Sequence, residues 1–364
     1  MIDPRDVTVV LQGSTPADAQ GQARLAGNAA ALRAVLPGAR VIFSTWRGAP
    51  AMLQEAVDFT VFSDDPGALP PFKIRSCKSN NVNRQIVSSA AGLARVDTPF
   101  ALKLRSDARL EHRGVLDWHA RLQDQLSGGP DRIVTASHFS VDPRMFEQMP
   151  LHLSDWFQFG RTERLRRLWS AQPMGLDESA YYDTAAYAPA STHFDRRSRA
   201  RFPAEQHVWR EFARALGYGV PDFHNDARPA VLAEHDRFVA QEITILDADQ
   251  SGVRVHGYDW VAHSGMQRFN CLSHLDWLAV AAAQGALHVP ASQHRALRRR
   301  QIAKTGVARA FRACRWLIPA LATPPLKQVA SVALHCADLL SRRGSGPCGL
   351  PSPTPSFPTI HPMP

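Results

Sequence analysis

Apolar residues in the first hundred positions come in short runs that end on polar ones. VTVVLQG (7–13), ARVIFSTW (39–46), FTVFSDDPG (59–67) and FALKLRSD (100–107) all have this form, which fits strands buried on both faces of a sheet. Between them, residues 19–36 and 79–95 carry apolar positions at three- and four-residue spacing. That spacing predicts two helices, the second capped by Ser79 or Asn80. Strand and helix alternating at these lengths predict an α/β fold with a mostly parallel sheet flanked by helices. Ligands bind such sheets beyond the carboxyl ends of the strands. The tips QGS, STWRG, SDDPG and RSD are therefore expected on one rim.

The pattern continues in the second half. RIVTASHFS (132–140) predicts a strand ending at Ser137 and His138, and SDWFQFG (154–160) brings Asp155 and Trp156 beside Phe157 and Phe159, which suit a core. RFPAEQHVW (201–209) places Pro203 where a helix begins and Glu205 in its first turn. Further on, Ala303, Val307, Ala310, Phe311, Cys314, Leu317 and Ile318 share one helical face, with Arg298, Arg299, Lys304, Arg309, Arg312 and Arg315 mostly on the rest of the circumference. Three regions follow: a domain over 1–290, a basic amphipathic helical extension over 291–343, and a Pro-rich tail over 344–364 that lacks the residues for a packed core.

Charge changes the picture only at the C-terminus. The chain of 364 residues has a formal net charge of +9, but 11 of its 42 Lys and Arg and one of its 33 Asp and Glu lie in 291–343. The remainder is nearly neutral, so a nucleic-acid groove is not expected. The basic helix instead suits the plane of an anionic membrane surface, with its apolar stripe in the acyl boundary. No run of 18 apolar residues and no signal-peptide pattern occurs, which places the protein in the cytoplasm, peripheral on the inner face of the membrane. Five scattered cysteines without C-x-x-C spacing argue against a disulfide framework or structural zinc. Neither G-x-G-x-x-G, G-x-S-x-G nor H-E-x-x-H is present, so dinucleotide oxidoreductases, α/β-hydrolases and zincins are disfavoured.

The series VVLQGS, FSTWRG, FSDDPG, NNVNRQIVSSAAGL, ALKLRSD, SHFS, SDWFQFG and EQHVW resembles the WavE lipopolysaccharide synthesis family over residues 7–250. More broadly it is similar to glycosyltransferases of the GT-A fold, where a helix along the sugar nucleotide precedes a strand ending in Asp-x-Asp. The resemblance implies a nucleotide-sugar half over 1–130, an acceptor half over 131–290, and transfer of a sugar to a lipopolysaccharide-core or other surface saccharide, lipid-linked or not.

It also implies site residues. Gln12 and Gly13 would meet the base, Asp64 or Asp65 the base or ribose, and Asn80, Asn83 and Arg84 the donor from the helix. Asp107 would be the metal ligand for Mn2+ or Mg2+, although Arg105 stands where the first Asp belongs. A single carboxylate beside a cation makes a poor cage for a hard ion, so Arg105 or Arg84 could pair with phosphate directly, and Arg105 with Asp107 itself. His138, Asp155 and Trp156 would form the acceptor platform, and Glu205, or else Asp155, the general base. The other class to be weighed is a noncatalytic saccharide- or nucleotide-sugar-binding protein of the same fold, which would need neither Asp107 nor Glu205.

Overall fold

The computed structural model describes residues 1–49, 56–74, 76–123, 131–289, 291–313 and 324–342. Strands β1 (Val7–Gln12), β2 (Arg40–Trp46), β3 (Phe59–Ser63), β4 (Phe100–Arg105), β5 (Ala108–Leu110), β6 (Ile133–Ala136), β7 (Phe157–Arg161), β8 (Ile243–Leu246) and β9 (Val253–Val255) occupy the expected runs and add others. Seven of them form one sheet in the order β3-β2-β1-β4-β7-β6-β8, while β5 and β9 make a separate antiparallel ribbon. The sheet is mixed: β7 runs antiparallel to both β4 and β6, and the other pairs are parallel.

The helices are α1 (Ala19–Val35), α2 (Val82–Ala94), α3 (Gly114–Gln123), α4 (Thr162–Leu168), α5 (Leu176–Ser179), α6 (Ala204–Ala215), α7 (Pro229–Glu242), α8 (Ala248–Ser251), α9 (Asp259–His263), α10 (Gly265–Asn270), α11 (His274–Ala283), α12 (Ala291–Ala313) and α13 (Pro324–Arg342). Helix α2 starts three residues later than its pattern predicts. Asn80 turns its Oδ1 back to accept from the Val82 N–H at 3.1 Å, so the residue read as a cap makes an Asx turn ahead of the helix. Pro203 likewise precedes α6 as its cap residue.

Both faces of the sheet are covered, and strand parity decides which side chain goes where. In β1, Val7, Val9 and Leu11 pack with Leu25 and Leu32 of α1, whereas Val10 packs with Val82, Ile86 and Leu93 of α2. In β4, Leu102 and Leu104 take the α1 and α3 side and Ala101 the α2 side. The same parity sends Lys103 and Arg105 to the α2 side. The Lys103 ammonium lies 4.5 Å from the centre of the Trp169 ring, a cation over an aromatic face. Gly92 lets α2 come this close, since a Cβ there would meet the Val10 side chain at 2.5 Å.

Helices α12 and α13 pack against the domain, and this corrects the expected orientation of the basic helix. Ala303, Val307 and Phe311, read as lipid-facing, pack around Met145, Phe146 and Phe269. Lys304, read as a headgroup contact, is buried against Asp142 at 2.9 Å and Asp276 at 3.0 Å. Arg300 beside it pairs with Asp276 at 3.0 Å and Asp338 at 2.5 Å. Burying these apolar side chains against protein removes them from water as well as a bilayer would. Cys314, Arg315, Leu317, Ile318 and the tail lie outside the described residues. Among the described residues, no helix is long and apolar enough to cross a membrane.

Candidate active site

The expected rim exists at the carboxyl ends of β1, β2 and β4. Gly13 follows β1 with φ 151° and donates its N–H to the Ser44 carbonyl at 3.2 Å, while the Ser106 N–H donates to the Gln12 carbonyl at 2.9 Å. A Cβ on Gly13 would overlap the Ser106 hydroxyl. Glycine is therefore required here by the approach of two strand tips, both of which border a cleft of about 830 Å3. The cleft is of a size that takes a small ligand. Its walls include Arg24 and Asn28 of α1, the tip Arg105-Ser106-Asp107, Arg84 of α2, Arg254 of β9, and His256 and Asp259 after it.

Helical periodicity sorts the polar residues around the start of α2. Asn81, Arg84 and Gln85 stand at three- and four-residue spacing and line the cleft. Asn80 and Asn83 fall on the other side. The Asn83 carboxamide donates to the Met174 carbonyl at 3.0 Å and accepts from the Met174 N–H at 2.7 Å, and Asn80 reaches the Met174 sulfur. Both are buried and serve the fold, which corrects their assignment to the donor. Gln12 borders the cleft, yet its Nε2 donates to the Ser88 hydroxyl at 2.8 Å, so its side chain ties β1 to α2. Of the two candidate aspartates after β3, Asp65 lines the cleft and grips Arg84 with both oxygens at 2.7 and 2.6 Å. Asp64 lies outside the lining, exposed and paired with Arg47.

Arg105 is the hub of the rim. Its Nε and Nη2 donate to the two oxygens of Asp107 at 3.0 and 2.7 Å, its Nη1 lies 3.6 Å from Asp155, and its guanidinium faces the Tyr258 ring at 5.9 Å. Burial disfavours the charged guanidinium, but Asp155 and Asp107 outweigh that and hold its pKa above the ordinary arginine value. Asp155 is 4% exposed. It accepts from Gln85 Nε2 at 2.8 Å, and its backbone carbonyl accepts from Lys103 Nζ at 2.8 Å. Lys103 is fully buried, and burial brings its pKa down to about 8.

Behind Asp155 stands Glu205. Gln206 and Trp209 of α6 donate to the carbonyls of Pro150 and Ser154 at 2.7 and 3.4 Å, which pins the start of that helix beside the 150–155 segment. Glu205 Oε2 then lies 3.7 Å from His152 Nε2. Burial, and next the charge of Asp155, raise the Glu205 pKa, with His152 acting the other way. The other ring nitrogen of His152 bonds the Phe139 carbonyl at 2.9 Å, so Nδ1 donates there and Nε2 is the nitrogen that faces Glu205. Phe139 and Leu151 have φ values of 62° and 59°, a conformation costly for large side chains. Leu151 is held in it by an N–H donated to buried His235 Nδ1 at 3.1 Å.

The side chains present do not make a cage for a divalent cation. Both Asp107 oxygens are engaged by Arg105, and among the described residues no three His, Cys, Asp or Glu side chains gather as ligands. Hard cations collect several oxygens.

A match to the model of the WavE lipopolysaccharide synthesis family runs over residues 7–308. The chain belongs to this family. The match extends past the 7–250 of the sequence resemblance into α12. No curated protein matches the chain. Solved structures similar to this WavE chain include an active-site mutant of LgtC, at 15% identity over 50% of this chain and 66% of that one, with TM-score 0.29. Another is the mannosyltransferase PcManGT from Pyrobaculum calidifontis in complex with GDP-Man and Mn2+, at 12% identity over 93% and 88%, with TM-score 0.35. A third is the galactosyltransferase LgtC with donor and acceptor sugar analogues, at 11% identity over 79% and 98%, with TM-score 0.32. The chain thus spans just under two thirds of the first and more of the other two.

The WavE chain's expected acceptor platform is rearranged. Trp156 is 4% exposed and packed among His138, Phe139 and Tyr258 at centroid distances of 5.2, 5.6 and 5.3 Å. It supports the site from beneath and offers no open face to a sugar. His138 lies at a smaller recess with Ser137, Asp247 and Arg254, and Arg254 also borders the main cleft. Sequence reasoning passed over His152, Lys103, Tyr258, Arg24 and Arg254. Lys103 alone carried a signal, as a lysine inside an apolar strand.

Proposed function

We propose that this WavE-family protein is a glycosyltransferase that moves a sugar from a nucleoside-diphosphate donor to a lipopolysaccharide-core or other surface saccharide. The observation that carries this reading is the arginine-rich cleft, whose Arg105 reaches Asp155, the residue whose charge bears on Glu205. Arg24, Arg84, Arg105, Arg109 and Arg254 line the cleft against Asp65, Asp107 and Asp259, and such a surplus suits a diphosphate. Glu205 takes the proton of the acceptor hydroxyl as that oxygen bonds to the anomeric carbon and the bond to the diphosphate breaks. Asp155 acts as a positioning residue: through Arg105 and Gln85 it aligns the donor wall, and its charge helps raise the Glu205 pKa.

The Arg298, Arg309 and Arg312 side chains on α12 are exposed, as are Val329, Val332, Leu339 and Leu340 on α13. They support peripheral attachment at an anionic membrane, with the acceptor lipid-linked. A panel of nucleotide sugars tests the catalytic reading through thermal shift and donor hydrolysis. At least one should raise the melting temperature and be slowly hydrolysed. A donor that binds but is neither hydrolysed nor transferred would favour the noncatalytic binding protein, and a panel without any binder would overturn the donor class.

A further inference from the structure

Resting on the nucleotide-sugar reading, we propose that Arg84 and Arg105 hold the donor diphosphate without a divalent cation, and that Asp65 and Asp107 occupy their guanidinium edges only until the diphosphate displaces them. The two arginines are built alike. Each offers Nε and Nη2 to both oxygens of one carboxylate: Arg84 to Asp65 at 2.7 and 2.6 Å, Arg105 to Asp107 at 3.0 and 2.7 Å. Each is anchored from the other side through Nη1, Arg84 by Asn81 Oδ1 at 3.0 Å and Arg105 by Asp155 Oδ1 at 3.6 Å.

Exposure separates what is fixed from what can leave. The arginine side chains are 32% and 23% exposed, and both carboxylates 41%. A carboxylate that swings out of this arrangement enters water, where it is well solvated, and the guanidinium edge it leaves presents the same two donors to two phosphate oxygens. The exchange is balanced in charge, since two carboxylates give way to a diphosphate diester carrying two negative charges. A metal-bridged donor would need the reverse, with Asp107 stripped from Arg105 and then left beside it while a cation approached that guanidinium.

The two arrangements predict opposite signs for one substitution. Titration calorimetry of the full chain with uridine, guanosine, cytidine, adenosine and thymidine diphosphates, in EDTA and in Mn2+, reads it. At least one nucleotide should bind in EDTA, with Mn2+ changing Kd by less than about threefold. Arg84→Ala and Arg105→Ala should each weaken it about 10- to 100-fold. Asp65→Asn and Asp107→Asn, which remove the competing carboxylates, should tighten it about two- to fivefold. Binding that requires Mn2+ and is lost in Asp107→Asn would overturn the proposal. Should Arg105→Ala fail to fold, the Arg84→Ala and Asp65→Asn pair at the more open end of the cleft decides the same question. If no nucleoside diphosphate binds with or without Mn2+, the donor reading itself falls and this proposal with it.

Discussion

Glu205 is the residue proposed as the general base. Its carboxyl is raised by burial and by Asp155, and stands 3.7 Å from His152. Glu205→Gln should lower kcat about 10²- to 10⁴-fold, the usual worth of a general base, while calorimetry shows nucleoside diphosphate affinity unchanged. An equal loss of affinity would make the residue a donor contact. The pH dependence has a definite sign. In the parent, kcat/KM should fall as pH drops through the raised Glu205 pKa, because the base becomes protonated. For stability, a carboxyl whose folded pKa exceeds its unfolded value of about 4.3 binds more protons in the native state. Stability is then lost as pH rises from the unfolded to the folded pKa. Gln lacks that loss, so urea titrations should show the variant gaining on the parent across this window and holding its lead above it. The place of Glu205 in the first turn of α6 was readable, but its neighbour His152 was not, because no local pattern ties position 152 to 205.

At the scale of elements, periodicity accounts for most of what was and was not foreseen. Strand period two places Lys103 and Arg105 on one face of β4, and helix period 3.6 groups Asn81, Arg84 and Gln85 while turning Asn80 and Asn83 away. Both rules rest on local spacing, so both could be read before any contact was known. The packing of α12 could not be. Its arginines looked equivalent in sequence, yet Arg300 is 1% exposed and paired with Asp276 and Asp338, from α11 and α13. Arg300→Ala leaves two buried carboxylates short of a partner and should cost about 3–5 kcal/mol in urea denaturation, whereas Arg298→Ala on the exposed face should stay within about 0.5 kcal/mol. Burial would raise the Asp276 pKa, but Arg300 and Lys304 outweigh it and hold it well below the usual carboxylate range. The stability this provides is fully present above the unfolded pKa of about 3.9 and is lost as pH falls below it. The gap between parent and Arg300→Ala should therefore be widest near neutrality and close in acid.

At the scale of the whole molecule two surfaces matter to the proposals. One, proposed to take the donor, is the rim of a mixed sheet. The other comprises the outer sides of α12 and α13, where Arg298, Arg309 and Arg312 are exposed and Val329, Val332, Leu339 and Leu340 are 48–67% exposed. Since Ala303, Val307 and Phe311 are packed on protein, attachment to a membrane would rest on the arginines and on α13. Each basic residue near an anionic surface contributes about 1 kcal/mol. Replacing Arg298, Arg309 and Arg312 together by alanine should thus weaken co-sedimentation with phosphatidylglycerol vesicles about a hundredfold at low salt, and raising the salt should weaken the parent in the same direction. Equal vesicle binding by the two proteins would remove α12 from the attachment.

The sequence by itself determined the alternation of strand and helix, the rim on which QGS, SDDPG and RSD meet and, through the resemblance of its motif series, the membership of a lipopolysaccharide synthesis family. The first two follow from residue type and short-range period, which are properties of neighbours in the chain. Only the tertiary structure decided that β7 runs antiparallel through the sheet, that Trp156 is a buried support, and that Arg84 and Arg105 each hold a carboxylate at the cleft. It also decided that Ala303, Val307 and Phe311 of α12 face protein. Each of these depends on which distant surfaces exclude water together, as Asp155 does with Arg105 and Lys304 with Asp142, and separation along the chain carries no record of that choice.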